Sequence, residues 1–149
     1  MITPGDRLKL LRENIQQNGF VRIIEAHNGI SALVGESASV QTGSGVVEYD
    51  GLWESSLTDS ASKGFPDVEV VGVDSRVHTI NEILEVTQKP LIVDGDTGRS
   101  PVEFEFLVRR LERMGVSAII IEDKVFPKRN SLDTSANQTL EDPVLFGQK

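Results

Sequence analysis

Asp94-Gly95-Asp96-Thr97-Gly98 sets two carboxylates two residues apart in a turn flanked by glycines. Side chains at that spacing leave a strand on the same face, so Asp94 and Asp96 are expected to share one space. The glycines would let the backbone approach a bound group closely. Further on, the run Ser117-Ala118-Ile119-Ile120-Ile121 ends in Glu122-Asp123-Lys124. Asp94, Asp96 and Glu122 gathered on one rim would repel one another unless a cation sat among them. Hard oxygen donors with retained waters are the surroundings Mg2+ prefers. Any one of these acids could instead cap a helix or pair with a loop lysine; the three together favour the metal. Pro127-Lys128-Arg129-Asn130-Ser131-Leu132 follows. Its lysine, amide and hydroxyl could hold an anionic group and cover it. Taken by itself, the peptide reads as a solvated loop with two surface charges.

The elements that must position these residues follow from periodicity. Thr3 to Gly19 reads as an amphipathic helix, with Leu8, Leu11 and Ile15 on one side and Gly19 as its stop. Phe20 to Ala26 reads as a strand ending at His27-Asn28-Gly29, and Ile30 to Ser39 as a helix. Gln41 to Gly45 is expected as a loop and Tyr49 to Ser55 as a second strand, followed by a polar loop with Gly64 and Pro66. A helix over Val77 to Gln88 leads to a compact third strand, Leu91-Ile92-Val93, of the kind buried on both faces. Pro101 to Met114 is a helix with Gly115 at its end, Val116 to Ile121 a fourth strand, and another helix begins near Asp142.

Alternating strands and helices imply a parallel sheet. Four such units fit either a doubly wound sheet or half of a (β/α)8 barrel, which needs eight strands in roughly 250 residues. Sites in parallel barrels form at the C-terminal strand ends. Here those ends carry Glu25, His27 and Asn28; then Trp53, Ser55 and Ser56; then Asp94 and Asp96; then Glu122 and Asp123. His27 reads as a histidine hydrogen-bonded in its turn and His78 as a surface residue. Trp53 reads equally as core or as the wall of a site.

Composition excludes several classes. With 23 Asp and Glu against 15 Lys and Arg, the net charge is −8, the wrong sign for a nucleic-acid binder. An acidic chain that handles an anion needs a mediating cation. The absence of cysteine removes disulfides, thiolate metal sites and a cysteine nucleophile or acid. The two histidines fit no zinc spacing. No apolar run approaches the ~18 residues of a membrane span, and the first residues lack a signal-peptide pattern, so a cytoplasmic location is the default expectation.

Taken in order, E-A-H-N-G, G-L-W-E-S-S-L-T-D-S, G-F-P-D, D-G-D-T-G, I-I-E-D-K and K-R-N-S-L resemble the phosphoenolpyruvate mutase family of the isocitrate lyase superfamily. Each motif is modest and the order of the six is specific. The resemblance runs from about Val21 to the end of the chain. It implies the amino-terminal half of a (β/α)8 barrel, as one partial domain over 1–149, with Mg2+ and a small 2-oxoacid-type substrate. It implies interconversion of phosphoenolpyruvate and phosphonopyruvate, the entry to carbon–phosphorus compounds. By that match Asp94 is the direct Mg2+ ligand, while Asp96 and Glu122 act through water. Trp53, Ser55, Ser56 and Leu57 line the substrate, Asp67 is the catalytic aspartate, and Lys128, Asn130 and Ser131 belong to a gating loop, with Asn130 on the phosphoryl group. Carbon–carbon lyases of the superfamily place a cysteine in that loop, which this chain lacks; phosphonopyruvate hydrolase is the nearer alternative. The full fold supplies a further arginine and histidine that have no counterpart in this chain, and Arg99 stands where a smaller residue is expected. Two outcomes follow: an inactive piece of a homo-oligomeric enzyme, or a non-catalytic half-barrel module. In both, the isolated chain is expected to be poorly soluble or oligomeric.

Overall fold

The computed structural model describes residues 2–149. Helix α1 (Pro4–Asn18) starts where the Thr3 hydroxyl accepts the Asp6 N–H and ends at Gly19, which takes the left-handed conformation that glycine reaches without steric cost. Strand β1 (Ile23–Glu25) leads to α2 (Gly29–Ser37), capped reciprocally by Asn28 and Ser31. Two short strands, β2 (Ser39–Thr42) and β3 (Gly45–Glu48), then pair antiparallel. After β4 (Gly51–Glu54) come α3 (Ser56–Ser62) and α4 (Val73–Val86). Strand β5 (Leu91–Asp94), α5 (Pro101–Met114), β6 (Ala118–Ile120) and the short α6 (Pro143–Phe146) complete the order.

The four-strand parallel expectation holds: the main sheet runs β1-β4-β5-β6, with every pair parallel. Three local readings are corrected. The expected loop over 41–45 is the turn of the β2–β3 hairpin, because the Thr42 hydroxyl donates to Gly45 O and accepts the Ser44 N–H, which satisfies the turn's own backbone and leaves the flanking residues free to pair. The polar stretch after β4 is not all loop, since α3 forms there, held by Asp59. That carboxylate is fully buried and takes hydrogen bonds from Lys63 Nζ (2.5 Å) and Thr79 Oγ1 (2.8 Å), tertiary partners that override weak helix propensity. Helix α4 starts four residues earlier than periodicity suggests, at Val73 rather than Val77, so that Arg76 lies in its first turn.

Leu52, Leu91 and Val93 of the sheet pack against Ala32, Ile80, Ile83 and Leu111 of the helices, placing the core on one face. Gly35 of α2 permits this closeness: a Cβ there would stand 2.7 Å from Leu52 and 2.8 Å from Ile24. Trp53 and Ile92 alternate onto the other face and are only half-buried, so β5 is not covered on both faces as its composition suggests. At the opposite end of the sheet from the acidic turns, Arg7 of α1 donates to Thr87 O (2.6 Å) and Leu84 O (3.5 Å), answering the free carbonyls at the end of α4. No helix among the described residues is long and apolar enough to cross a membrane.

Candidate active site

Asp94 is the last residue of β5 and both of its oxygens are held. Oδ1 accepts the Asp96 N–H (2.9 Å), and Oδ2 accepts the Ser56 N–H (3.2 Å) and Ser56 Oγ–H (2.9 Å). The first backbone N–H of α3 therefore fixes the carboxylate rotamer. Asp96 sits in the turn with φ 54°, a left-handed conformation that is costly for a residue other than glycine and clusters at functional sites. Gly95 corrects the expected role of the turn's glycines. A Cβ there would meet Ile119 at 2.9 Å and Ile120 O at 3.0 Å, so the close approach it allows is to β6.

Lys128 provides the cation that joins the acids. Its side chain is 1% exposed, and Nζ lies 2.7 Å from Asp96 Oδ1, 3.0 Å from Asp67 Oδ1 and 3.1 Å from Glu122 Oε1. It also donates to Ser56 Oγ at 2.9 Å, which makes a relay from Lys128 through Ser56 to Asp94. Burial works against the lysine's charge, but Asp96 and Asp67 outweigh it and raise its pKa. The loop reading of the 127–132 peptide as solvated is thus corrected for Lys128, because desolvation is offset by three facing carboxylates.

Arg76 is the second cation. Its Nη1 donates to Asp96 Oδ2 (2.6 Å) and its Nη2 to Glu54 Oε2 (2.8 Å) and to the Asp94 carbonyl. Burial alone would lower its pKa; Glu54 and Asp96 raise it. Glu54 is fully buried at the end of β4, and that burial pushes its pKa up to about 7 despite the arginine. Burial likewise raises Asp96. Glu69, in a left-handed conformation (φ 60°), accepts from Thr97 N–H and Oγ1–H and from the Lys128 N–H. It pins the turn to the Lys128 loop. Arg76, Glu54 and Glu69 were not legible as site residues. The one available signal was Glu54 between Trp53 and Ser55, an acid inside an otherwise apolar strand.

The structure brings Ser56, Asp67, Asp94, Asp96, Glu122 and Lys128 together. Ser55 is the buried N-cap residue of α3, Leu57 is half-buried beside it, and Trp53 lies on the sheet face away from the helices with its Nε1 unpartnered. Asn130 and Ser131 are not in the cluster: Asn130 Oδ1 caps the Leu132 N–H, and Ser131 Oγ accepts from Lys124 Nζ at 2.7 Å. Asp123 is exposed. His27 hydrogen-bonds within its turn region, to Glu25 (3.1 Å), and His78 is on the surface against Glu82. Arg99 takes φ 54°, donates to Glu69 O and lies over the Phe126 ring.

Among the described residues no group of three or more acidic or histidine side chains has the spacing to ligate one ion directly. Lys128 and Arg76 stand between the acids. Yet the donor set fits Mg2+, which is usually bound through one or two carboxylates and retains several waters. Glu54 Oε1, Asp67 Oδ1, Asp96 Oδ1 and Glu122 Oε2 are buried without hydrogen-bond partners. The lysines reach the last three as charge contacts off the hydrogen-bond direction. Buried carboxylate oxygens with spare lone pairs are what such an ion or its waters would satisfy.

A family model described as phosphoenolpyruvate phosphomutase matches residues 11–144. The chain belongs to this family. It is 34% identical over 131 residues to the phosphoenolpyruvate phosphomutase of Tetrahymena pyriformis, covering 87% of this chain and 41% of that protein. The crystal structure of the phosphomutase from Streptomyces platensis subsp. rosaceus matches with TM-score 0.83 and 33% identity, over 95% of this chain and 46% of that one. A phosphonopyruvate hydrolase in complex with oxalate and Mg2+ matches with TM-score 0.78 and 29% identity, over 96% of this chain and 45% of that one. 2-Methylisocitrate lyases are among the relatives too, so the family's neighbours span mutase, hydrolase and lyase chemistry. The chain spans less than half the length of these relatives, and its four-stranded sheet with helices is the amino-terminal part of their (β/α)8 barrel.

Proposed function

We propose that the protein carrying this chain is a Mg2+-dependent phosphoenolpyruvate mutase, interconverting phosphoenolpyruvate and phosphonopyruvate. The observation that carries this reading is Lys128. It comes from the loop after β6 and places an ammonium among Asp67, Asp96 and Glu122; in that loop the superfamily's carbon–carbon lyases are expected to carry a cysteine, and this chain has none. Transfer of a phosphoryl group calls for positioning and neutralised charge more than for covalent chemistry. Asp94, oriented by Ser56 and the Asp96 N–H, would hold the ion directly, and Asp96 and Glu122 would hold its waters. The ion would supply a Lewis acid for the oxoacid oxygens. Trp53, Ser55, Ser56 and Leu57 would line the substrate, with the backbone at Ser55 holding its carboxylate. Lys128 would neutralise the transferring group opposite Asp67. Asn130 would meet the phosphoryl group, with Ser131 beside it, only once their loop folds inward, and that closure would exclude water. The reaction is assigned to the whole protein, and this chain alone is expected to be inactive.

Hydrolysis is the second reading, favoured by 32% identity over 131 residues to the phosphonopyruvate hydrolase of Variovorax sp. strain Pal2. Phosphorus NMR of phosphonopyruvate incubated with the protein and Mg2+ separates the two. Phosphoenolpyruvate as the main product is expected, and Asp94→Ala should remove it. Chiefly inorganic phosphate would replace the mutase reading with the hydrolase.

A further inference from the structure

We propose that Arg76 is a positioning residue that sets which divalent ion the Asp94 pocket accepts, favouring Mg2+ over Ca2+. The inference rests on the reading of that pocket as a metal site. Its basis is the way each carboxylate is restrained. Asp96 gives Oδ2 to Arg76 Nη1 at 2.6 Å, and Glu54 gives Oε2 to Arg76 Nη2 at 2.8 Å. Of the other oxygens, Asp96 Oδ1 lies 2.7 Å from Lys128 Nζ, and Glu54 Oε1 is buried with no hydrogen-bond partner. Asp94 has each oxygen engaged by a donor, Oδ1 by the Asp96 N–H and Oδ2 by Ser56. No carboxylate at the ends of β4 and β5 therefore has both oxygens free to grip one ion.

That restraint discriminates between ions. Mg2+ is small, demands near-octahedral geometry and retains waters, whereas Ca2+ takes six to eight oxygens and commonly binds carboxylates through both. The planar guanidinium fork holds two acids in fixed directions at once, which a lysine cannot do. Arg76 also reaches the Asp94 carbonyl, so one side chain from the first turn of α4 ties together the ends of β4 and β5. Its charge and its geometry act differently. Removing the positive charge would strengthen the attraction of any divalent ion, moving both affinities together. Releasing the Asp96 and Glu54 oxygens would change the ratio of the two.

The test measures that ratio. Mn2+ is bound to the full chain and followed by EPR while Mg2+ or Ca2+ displaces it. Two variants are compared with wild type: Arg76→Lys, which keeps charge and loses the fork, and the double variant Glu54→Gln/Arg76→Gln, which leaves no unpaired buried carboxylate at position 54. Circular dichroism establishes that each is folded. Wild type should be displaced more readily by Mg2+ than by Ca2+. Each folded variant should shift the ratio toward Ca2+ by about tenfold, the scale on which outer partners of metal ligands act. An unchanged ratio in either folded variant overturns the proposal. Equal displacement of Mn2+ from wild type by the two ions overturns it without any variant. Failure of wild type to bind Mn2+ at all overturns the metal reading of the pocket, and this inference with it.

Discussion

A lysine side chain 1% exposed and surrounded by Asp67, Asp96 and Glu122 is an unusual use of a residue type that is mostly solvated. Its ammonium offsets carboxylates that would otherwise repel, and it anchors a loop whose neighbours Asn130 and Ser131 face away. Replacing one partner of a buried charged cluster leaves the others uncompensated. Lys128→Met should therefore lower stability by about 3 kcal/mol in urea unfolding without divalent metal. A midpoint equal to wild type would mean that the ammonium is not needed to hold these acids. Of the acids that the structure brings together, Asp94, Asp96 and Glu122 stood out in the sequence because each follows closely on an apolar run. Their cations did not, since an arginine in a polar helix turn looks like any surface arginine.

At the scale of elements, the strands are held by clasps that differ at the two ends of the sheet. Near the start of β1 and β4, Asp50 accepts the Arg22 backbone N–H at 2.7 Å and its Nε–H at 3.1 Å. Burial would raise the Asp50 pKa, but these bonds outweigh it and lower it. The folded state thus binds this proton less readily than the unfolded chain. The clasp's contribution is fully present above the ordinary aspartate range and is lost as pH falls below that range through the lowered folded-state value. The stability gap between wild type and Asp50→Asn should be open near about pH 6 and clearly smaller near about pH 3. A gap of unchanged size at the lower pH would show that the carboxylate charge is not what joins these strands. The same scale explains the missed hairpin and the missed α3. Their residues have weak periodicity, and Thr42, Asp59 and Thr79 stabilise them through hydroxyl and carboxylate bonds that period counting does not register.

Over the whole molecule, β1 and β6 form the two edges of the main sheet, and Trp53 and Ile92 face the side without helices. Ile120 on the β6 edge is 49% exposed. Unpaired strand edges beside apolar surface favour association, while a net charge of −8 opposes close approach. The 149-residue chain by itself should sediment as dimers or larger species at low salt and more so at high salt, where that repulsion is screened. A monomer at both salt concentrations would indicate that these edges are protected within the chain.

The sequence by itself determined the four strands of the parallel sheet, most of the helices between them, and the placing of Asp94, Asp96 and Glu122 at strand ends, but not the β2–β3 hairpin or α3. Each feature it determined is written in local periodicity or in a motif a few residues long. The tertiary structure alone decided that Arg76 grips Asp96 and Glu54, at separations of 20 and 22 residues, and that Glu69 receives the Lys128 N–H across 59. Such pairings depend on where whole elements pack, through the summed burial of Leu52, Ile80, Ile83 and their neighbours. No short stretch of sequence carries that sum.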